Sequence, residues 1–166
     1  ILQESIDINP EENAGSLHDK LMQTGSALVL KTVNLIKKGA VKTIRQTESI
    51  DIKTAYKLDR DNCKIDWNDS LENIYNLIRG LSPYPAAWCS LLNGNDTLDI
   101  KIYSADKEQL SHENAIGTII STKKELKVAV SNGYIIIKEL KLPGKRTMDV
   151  KSLLNGYTFE VNAKML

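Results

Sequence analysis

The sequence predicts a mainly β protein, in which a small antiparallel barrel with one accessory helix follows a strand and a long helix of a separate unit. Three observations lead to this prediction. Five short stretches between residues 86 and 142 are rich in aliphatic and β-branched residues and are separated by turn-forming residues. Apolar residues recur with a helical period from residue 13 to residue 38. Between these regions, residues 41–62 show no sustained period, which is typical of a linker.

The first forty residues predict one strand and one helix. Residues 1–8 alternate in part, as a short strand or an extended edge would. Gly39 then ends the helix after two lysines, whose charge suits the helix C-terminus. The apolar face of this helix comprises Leu17, Leu21, Leu28, Val29, Val33 and Ile36. Because one strand and one helix cannot enclose a core, residues 1–40 are interpreted as the end of an α/β domain whose beginning is missing.

A second unit begins near Cys63. Ser70 is suited to cap a short helix in which Leu71, Ile74 and Ile78 share a face, and Gly80 is expected to end that helix. Two prolines in the segment 82–85 then turn the chain, since each fixes φ and favours an extended residue before it.

The rest of the second unit predicts strands. The five expected strands are Ala86–Leu92, Thr97–Ser104, Ala115–Ser121, Glu125–Ser131 and Tyr134–Leu142. Asn132-Gly133 indicates a tight hairpin between the last two, and residues 149–155 indicate a final helical turn that Gly156 ends. Five short antiparallel strands with an accessory helix fit a nearly closed barrel, an OB-fold in particular. A small sandwich is the alternative.

Composition excludes several classes of protein. A hydrophobic share of 42% with 26% charged residues is typical of a soluble globular chain rather than a disordered one. The apolar runs, such as residues 135–137, are too short to cross a bilayer, and the acidic N-terminus does not match a signal peptide. Because the sequence begins at Ile1, we expect it to be processed or cut from something longer. Cys63 and Cys89 indicate reduced thiols in a cytoplasmic protein, and neither His18 nor His112 has metal-ligand spacing.

Charge is unevenly distributed along the chain. The net charge is only +1, yet residues 1–19 carry acids only, whereas the charged residues from Lys20 to Arg45 are all basic. A second basic stretch runs from Lys123 to Lys151. A nearly neutral protein with segregated basic segments can bind a polyanion on one face. The alternative is an ordinary solvated, lysine-rich surface.

Four ordered motifs carry a resemblance to a known family. These are the runs GSLHDKL at 15–21, AYK at 55–57 followed by IDW at 65–67, IRGLSPYPAAW at 78–88, and PGKRTM at 143–148 followed by LLNG at 153–156. Together they resemble the C-terminal portion of the methionyl-tRNA formyltransferases, in order and spacing over essentially the whole chain.

The resemblance implies a two-domain enzyme of translation initiation. In that family a Rossmann-like N-terminal domain binds 10-formyltetrahydrofolate, the formyl donor, and carries a catalytic Asn, His and Asp. A basic linker and an OB-like barrel help to bind initiator methionyl-tRNA, whose amino group receives the formyl group. By this resemblance, residues 1–40 are the remnant of the formyl-donor domain, 41–62 the linker and 63–166 the barrel. None of the three catalytic positions lies in this chain, so we expect the chain alone to be inactive, without a cofactor or metal, and monomeric.

The resemblance also suggests which residues contact tRNA. The predicted tRNA-binding residues are Lys37, Lys38, Lys42, Arg45, Lys57, Arg79, Lys145 and Arg146. For each of them a solvated or structural role is the alternative. Trp67, Trp88, Tyr84 and Leu81 are interpreted as packing residues of the barrel rather than as base-stacking residues. The family's closing arginines are replaced here by Tyr157 and Phe159.

Two other functions remain open. Formyltransferases that act on nucleotide sugars, and the hydrolase domain of formyl-folate dehydrogenase, share a version of the run at 78–88, and their barrel has a structural role. The basic linker and the run at 144–148 favour the tRNA enzyme. A stand-alone OB-like binding module is the third interpretation, and the helix at 16–38 argues against it because its apolar face needs a sheet to cover.

Overall fold

The computed structural model describes residues 1–46 and 52–166. The chain divides into two compact units, Ile1–Lys57 and Leu58–Leu166. In the described residues, no helix is both long enough and apolar enough to cross a membrane.

The first unit contains one long helix, α1 (Ala14–Lys37). Asn13 begins it with a capping box, since its side chain accepts from the Ser16 backbone N–H at 2.9 Å and the Ser16 hydroxyl accepts from the Asn13 N–H at 3.2 Å. Lys38 is the C-terminal cap and Gly39 follows with φ of +63°. The helix predicted over residues 13–38 is therefore confirmed, and its ends are set by local hydrogen bonding.

The strand predicted over residues 1–8 was wrong: no residue of this segment is in a strand. An extended segment becomes a strand only when another strand pairs with its backbone, and the described part of the first unit has no such partner. Instead the segment contacts the helix, since the Lys20 ammonium donates to the Asp7 carbonyl at 2.9 Å. The α/β remnant thus stays a prediction.

No residue of α1 is buried. The large apolar residues that it exposes are Leu21, Met22, Val29, Leu30, Val33 and Ile36, with exposed fractions of 41% to 64%. These residues recur at helical spacing, so α1 presents an apolar face that nothing in the described part of its own unit covers.

The second unit opens with α2 (Leu71–Leu81), which Ser70 caps by accepting from the Asn73 N–H at 3.1 Å. Ile74, Tyr75, Ile78 and Leu81 are buried against the sheet. The predicted end at Gly80 was one residue early, because Leu81 packs into the core and extends the helix. Ser82 is its C-terminal cap.

Within the residues that the structure describes, the sheet has seven strands instead of the five predicted. They are β1 (Ala87–Asn93), β2 (Asp96–Gln109), β3 (Ile119–Ser121), β4 (Leu126–Val130), β5 (Gly133–Lys141), β6 (Met148–Asp149) and β7 (Lys164–Met165). Their order is β3-β4-β5-β2-β1-β7, with β6 on β5 and a short helix, α3 (Val150–Leu154), between β6 and β7. All the strand pairs are antiparallel. The antiparallel barrel is confirmed; its strand count is corrected.

The two additional strands are only two residues long, and β7 closes the barrel. It pairs with β1 through Leu91 and Met165. On its other side the Met165 N–H donates to the Gly117 carbonyl at 2.9 Å, and Lys164 bridges Thr118 just before β3. Gly117 has φ of +82°, and a Cβ there would lie 2.3 Å from the Met165 carbonyl oxygen. Closure therefore requires glycine at this position.

The strand β2 continues five residues beyond its predicted end at Ser104. A bulge between Ile102 and Ala105 shifts its register against β5, and pairing then resumes to Gln109. At the β4–β5 hairpin, Ser131 and Asn132 form the turn and Gly133 begins the next strand. The hairpin was predicted correctly, but its turn lies one residue earlier than expected.

The core lies between α2 and the inner face of the sheet. It is made by aliphatic residues that are at most 2% exposed, among them Ile65, Ile74, Ile78, Leu91, Ile100, Ile102, Leu126, Val128, Ile135, Ile137, Leu140 and Met165. Alternate residues of each strand point inward, as in β1, where Ala87, Cys89 and Leu91 are buried and Trp88 and Ser90 are only partly so. Trp88 is thus placed on the outer face.

Candidate nucleic-acid interface

The predicted tRNA-binding residues of the first unit cluster after α1. Lys37 lies in the last helical turn and Lys38 is the cap, and both are exposed. Lys42 and Arg45 follow in an irregular segment and are also exposed. The partial negative charge of a helix C-terminus favours cations here, so the position of the two adjacent lysines also has a structural reason. Lys57, the last residue of the unit, is exposed as well.

Arg79 lies on α2 and is half-buried. Its Nε donates to the Asn76 Oδ1 at 2.7 Å, and its guanidinium carbon lies 5.9 Å from the centre of the Tyr75 ring. These contacts hold the side chain along its own helix. Arg79 therefore has a structural role, and a contact with phosphate would be additional to it.

Lys145 and Arg146 lie in the turn between β5 and β6. Both are exposed, and the turn is closed by the Lys145 N–H, which donates to the Leu142 carbonyl at 3.1 Å. Gly144 adopts φ of +69° just before them. Because the two cations are neighbours on one turn, they lie close together and give this turn a local charge of +2.

The surface cations fall into two groups. Lys20, Arg60, Lys107, Lys127 and Lys138 each form an ion pair with a carboxylate. Within residues 1–46 and 52–166, by contrast, neither Lys145 nor Arg146 forms an ion pair, and the same holds for Lys37, Lys38 and Lys42. A cation that is already paired contributes little to the attraction of a polyanion. The structure brings together Lys37 with Lys38 and Lys145 with Arg146; their contact with tRNA stays a prediction.

A cluster around Trp88 was missed by the sequence reasoning. The Arg60 guanidinium carbon lies 4.0 Å from the centre of the Trp88 ring, and the indole N–H donates to the Arg60 carbonyl at 2.6 Å. Arg60 also forms an ion pair with Asp99, whose other oxygen accepts from the Ser90 hydroxyl at 2.8 Å. The Ser90 hydrogen bond, followed by Arg60, holds the pKa of Asp99 below its ordinary value.

The packing interpretation of the aromatic residues holds only in part. Trp67 and Leu81 are buried, at 4% and 5% exposure, as predicted. For Tyr84 it was wrong, since 86% of this residue is exposed. Trp88 is half-buried on the outer face of β1 and packs against the core, so its packing interpretation is confirmed although it is not a core residue. The outward position of Trp88 could have been predicted from the alternation of β1, since Ala87, Cys89 and Leu91 define the inner face of the strand.

The thiols are buried, and each imidazole contacts a neighbouring polar group. Cys63 and Cys89 are free and buried, and burial raises the pKa of Cys89 to about 12. A thiol with this pKa is protonated at neutral pH and is a poor nucleophile. His112 is hydrogen-bonded to the Gly133 carbonyl at 2.9 Å and lies 4.4 Å from the Tyr134 ring, whereas His18 is exposed beside Asp19. Among the described residues, no group of three His, Cys, Asp or Glu side chains could hold a metal ion.

Comparisons with known proteins bear on this surface. The family described as formyl transferase, C-terminal domain, matches residues 57–158. The methionyl-tRNA formyltransferase of Flavobacterium johnsoniae is 53% identical over 165 residues, which are 99% of this chain and 52% of that protein. The enzyme of the same name from Flavobacterium psychrophilum is 51% identical over 96% of this chain, and that from Bacteroides fragilis 39% identical over 99%.

The chain spans about half the length of the curated relatives that it matches. The family match covers most of the second unit and includes α2, the strands β1 to β6 and the turn that carries Lys145 and Arg146, and it ends before β7. The chain belongs to the formyl transferase C-terminal domain family.

Proposed function

We propose that this chain is the C-terminal part of a methionyl-tRNA formyltransferase and that it helps to bind initiator methionyl-tRNA. The full-length enzyme would transfer a formyl group from 10-formyltetrahydrofolate to the methionyl amino group. The names of the relatives support the parent activity, and they favour it over a sugar or folate formyltransferase with a structural barrel.

The exposed Lys145–Arg146 turn carries the binding proposal. Both cations project from a short turn and form no ion pair with any residue that the structure describes. Each phosphate that they neutralise would release condensed counterions, which makes affinity depend steeply on salt. Contacts of this kind position a nucleic acid without reading its sequence, so choice of the initiator tRNA would come from elsewhere in the full-length protein.

The lysines at the end of α1 would add a second point of attraction. Lys37, Lys38 and Lys42 are close in sequence and exposed, and they belong to the first unit. The uncovered apolar face of α1 supports the proposal that this unit is the last part of a formyl-donor α/β domain, since such a face is stabilised by packing against a sheet. These cations would then border the catalytic half of the enzyme.

We expect the 166-residue chain alone to transfer no formyl group. Proton transfer to or from a methionyl amine requires a base with a pKa near neutrality that can reach the substrate. The buried thiols do not provide one, and both ring nitrogens of His112 are engaged, one with the Gly133 carbonyl and one with the Asn114 N–H at 3.1 Å. Formylated methionyl-tRNA produced by the purified chain would refute this expectation.

The binding proposal is tested by titrating a fluorescently labelled initiator tRNA with the chain at several salt concentrations. We expect weak binding whose logarithm falls linearly with the logarithm of salt concentration. The double variant Lys145→Gln/Arg146→Gln should make the slope of log affinity against log salt shallower by roughly one to two. The reason is that each phosphate contact releases somewhat less than one counterion on binding. Affinity that is flat between low and moderate salt would contradict the proposal.

A further inference from the structure

A pocket beside Trp88 shares no lining residue with the basic turn at Lys145 and Arg146. It lies within the second unit, and its volume of about 300 Å³ is at the lower end of the range for small-molecule sites. Pro85, Ala86 and Ile100 give it apolar walls, and Trp88, Arg60 and Lys101 add an indole and two cations. This combination suits a flat aromatic ligand with one anionic group placed beside a cation.

The guanidinium of Arg60 is held over the indole ring of Trp88. Three contacts fix it: the Trp88 ring centre 4.0 Å away, the carboxylate of Asp99, and the indole N–H, which donates to the Arg60 carbonyl at 2.6 Å. Even so, 65% of the Arg60 side chain is exposed. The guanidinium is therefore positioned by the protein, while most of the Arg60 side chain stays open to solvent.

The open face of a guanidinium stacks well on nucleobases, because the ion is planar, delocalised and weakly hydrated. A base placed there would extend the column of Trp88 and Arg60 by one layer. The Lys101 ammonium donates to the Pro85 carbonyl at 2.9 Å and keeps two further N–H groups, which can reach a phosphate at the rim.

The carboxylates that line the pocket favour a stacked base as the ligand over the phosphate backbone of a double helix. Asp59 and Asp99 also line the pocket, and they would repel a run of phosphates. A neutral base meets no such repulsion. Bases within a duplex are covered on both faces by their neighbours, whereas an unpaired base has a free face to stack.

We propose that this pocket, formed around Trp88 and Arg60, holds one unpaired nucleotide of RNA, with its base stacked on the outer face of Arg60 and its phosphate beside Lys101. The assignment to tRNA rests on the proposed function above. The stacking itself does not, since any single-stranded RNA can supply the base.

The chain offers matched variants for a test. Arg60→Lys keeps the charge and removes the plane. Arg60→Gln and Lys138→Gln each remove one cation from an ion pair with an aspartate of β2, Asp99 in the first case and Asp106 in the second. The Lys138 pair does not line the pocket, so Lys138→Gln controls for a loss of charge alone. Unfolding midpoints of the three variants in urea verify that each one folds.

The measurement uses an RNA octamer of adenosine nucleotides, a blunt RNA duplex with the same number of phosphates, and the initiator tRNA. Trp67 is only 4% exposed, so quenching of the intrinsic fluorescence reports mainly on Trp88. We expect the octamer to quench it and the duplex to leave it unchanged. Octamer affinity should fall on the order of tenfold in Arg60→Lys and in Arg60→Gln, and by less than about twofold in Lys138→Gln.

Three outcomes separate the proposals. If octamer affinity falls equally in Arg60→Gln and Lys138→Gln and does not fall in Arg60→Lys, the RNA is bound by charge attraction alone. That result would overturn the stacking. Salt-dependent tRNA binding that no Arg60 variant alters would overturn the pocket and leave the proposed function standing. Octamer binding with the predicted pattern but no binding of tRNA would establish the pocket and refute the proposed function.

Discussion

Replacement of Gly117 by alanine tests the closure of the barrel. With φ of +82°, this residue adopts a backbone conformation that costs an L-residue roughly 1–2 kcal/mol. The added Cβ would also lie 2.3 Å from the Met165 carbonyl oxygen, a fixed backbone atom, so β7 must move. That movement would lose the Met165–Gly117 backbone hydrogen bond and part of the β1–β7 pairing, at about 1 kcal/mol for each bond. The free energy of unfolding should therefore fall by roughly 3 kcal/mol.

The matched control is Gly144→Ala. Gly144 has φ of +69°, but no atom lies within 4 Å of the Cβ that it would gain, so only the conformational cost of about 1 kcal/mol applies. Urea unfolding of both variants is followed by tryptophan fluorescence, because Trp67 and Trp88 both lie in the second unit. For a typical urea m-value, 3 kcal/mol lowers the midpoint by about 1.5 M. If the two variants lose the same stability to within about 0.5 kcal/mol, the contact with Met165 contributes nothing and the reasoning about closure is wrong.

Three further predictions follow from the same contacts. Ile137→Ala removes a core side chain that is 1% exposed and should lower the free energy of unfolding by about 2–5 kcal/mol in urea denaturation, whereas Ile44→Ala, at 75% exposure, should change it by less than about 0.5 kcal/mol. Ser70→Ala removes the cap of α2 and should cost about 1 kcal/mol, and a Ser70→Asp variant that does not recover the loss would argue against capping as the cause. Hydrogen bonds from the Ser152 side chain and backbone lower the pKa of Asp149, so its stabilising effect should be present above its ordinary value of 3.8 and disappear as the pH falls through the lower folded value. In Asp149→Asn, the free energy of unfolding measured from unfolding curves should lack this part of its pH dependence. An unchanged loss of stability at acidic pH would contradict the assignment of this effect to Asp149.

The elements that could be predicted from sequence are those whose ends are determined locally. The capping box of Asn13 and Ser16, the glycine after Lys38 and the cap at Ser70 are each encoded within a few residues, and α1 and α2 begin where predicted. The five longer strands were located from their own composition and turns. The bounds of β2 and β3 were not: the bulge near Ser104 is determined by the partner β5, and β3 begins at Ile119 instead of Ala115, where its pairing with β4 begins.

The features that escaped prediction depend on distant partners. Lys164–Met165 is a strand only because Leu91 and Gly117 lie on either side of it, and residues 1–8 are not a strand because none pairs with them. The Trp88 cluster joins residues 60, 88 and 99, whose proximity follows from the register of β1 and β2 and from a loop. The predicted cations are visible in the sequence, whereas the carboxylates that neutralise other cations are identified only by the fold.

The position of β7 in the chain also determines when the barrel can be completed during synthesis. Synthesis of β1 is complete once Asn93 has been added. Its partner β7 is not made until the ribosome has added Lys164 and Met165. Until then both β1 and the segment at Gly117 display unpaired backbone groups, which is the condition in which nascent chains associate wrongly with one another. We therefore expect chaperones that recognise extended apolar segments to engage this domain after the segment at Gly117 has emerged and to leave it once residue 165 has emerged.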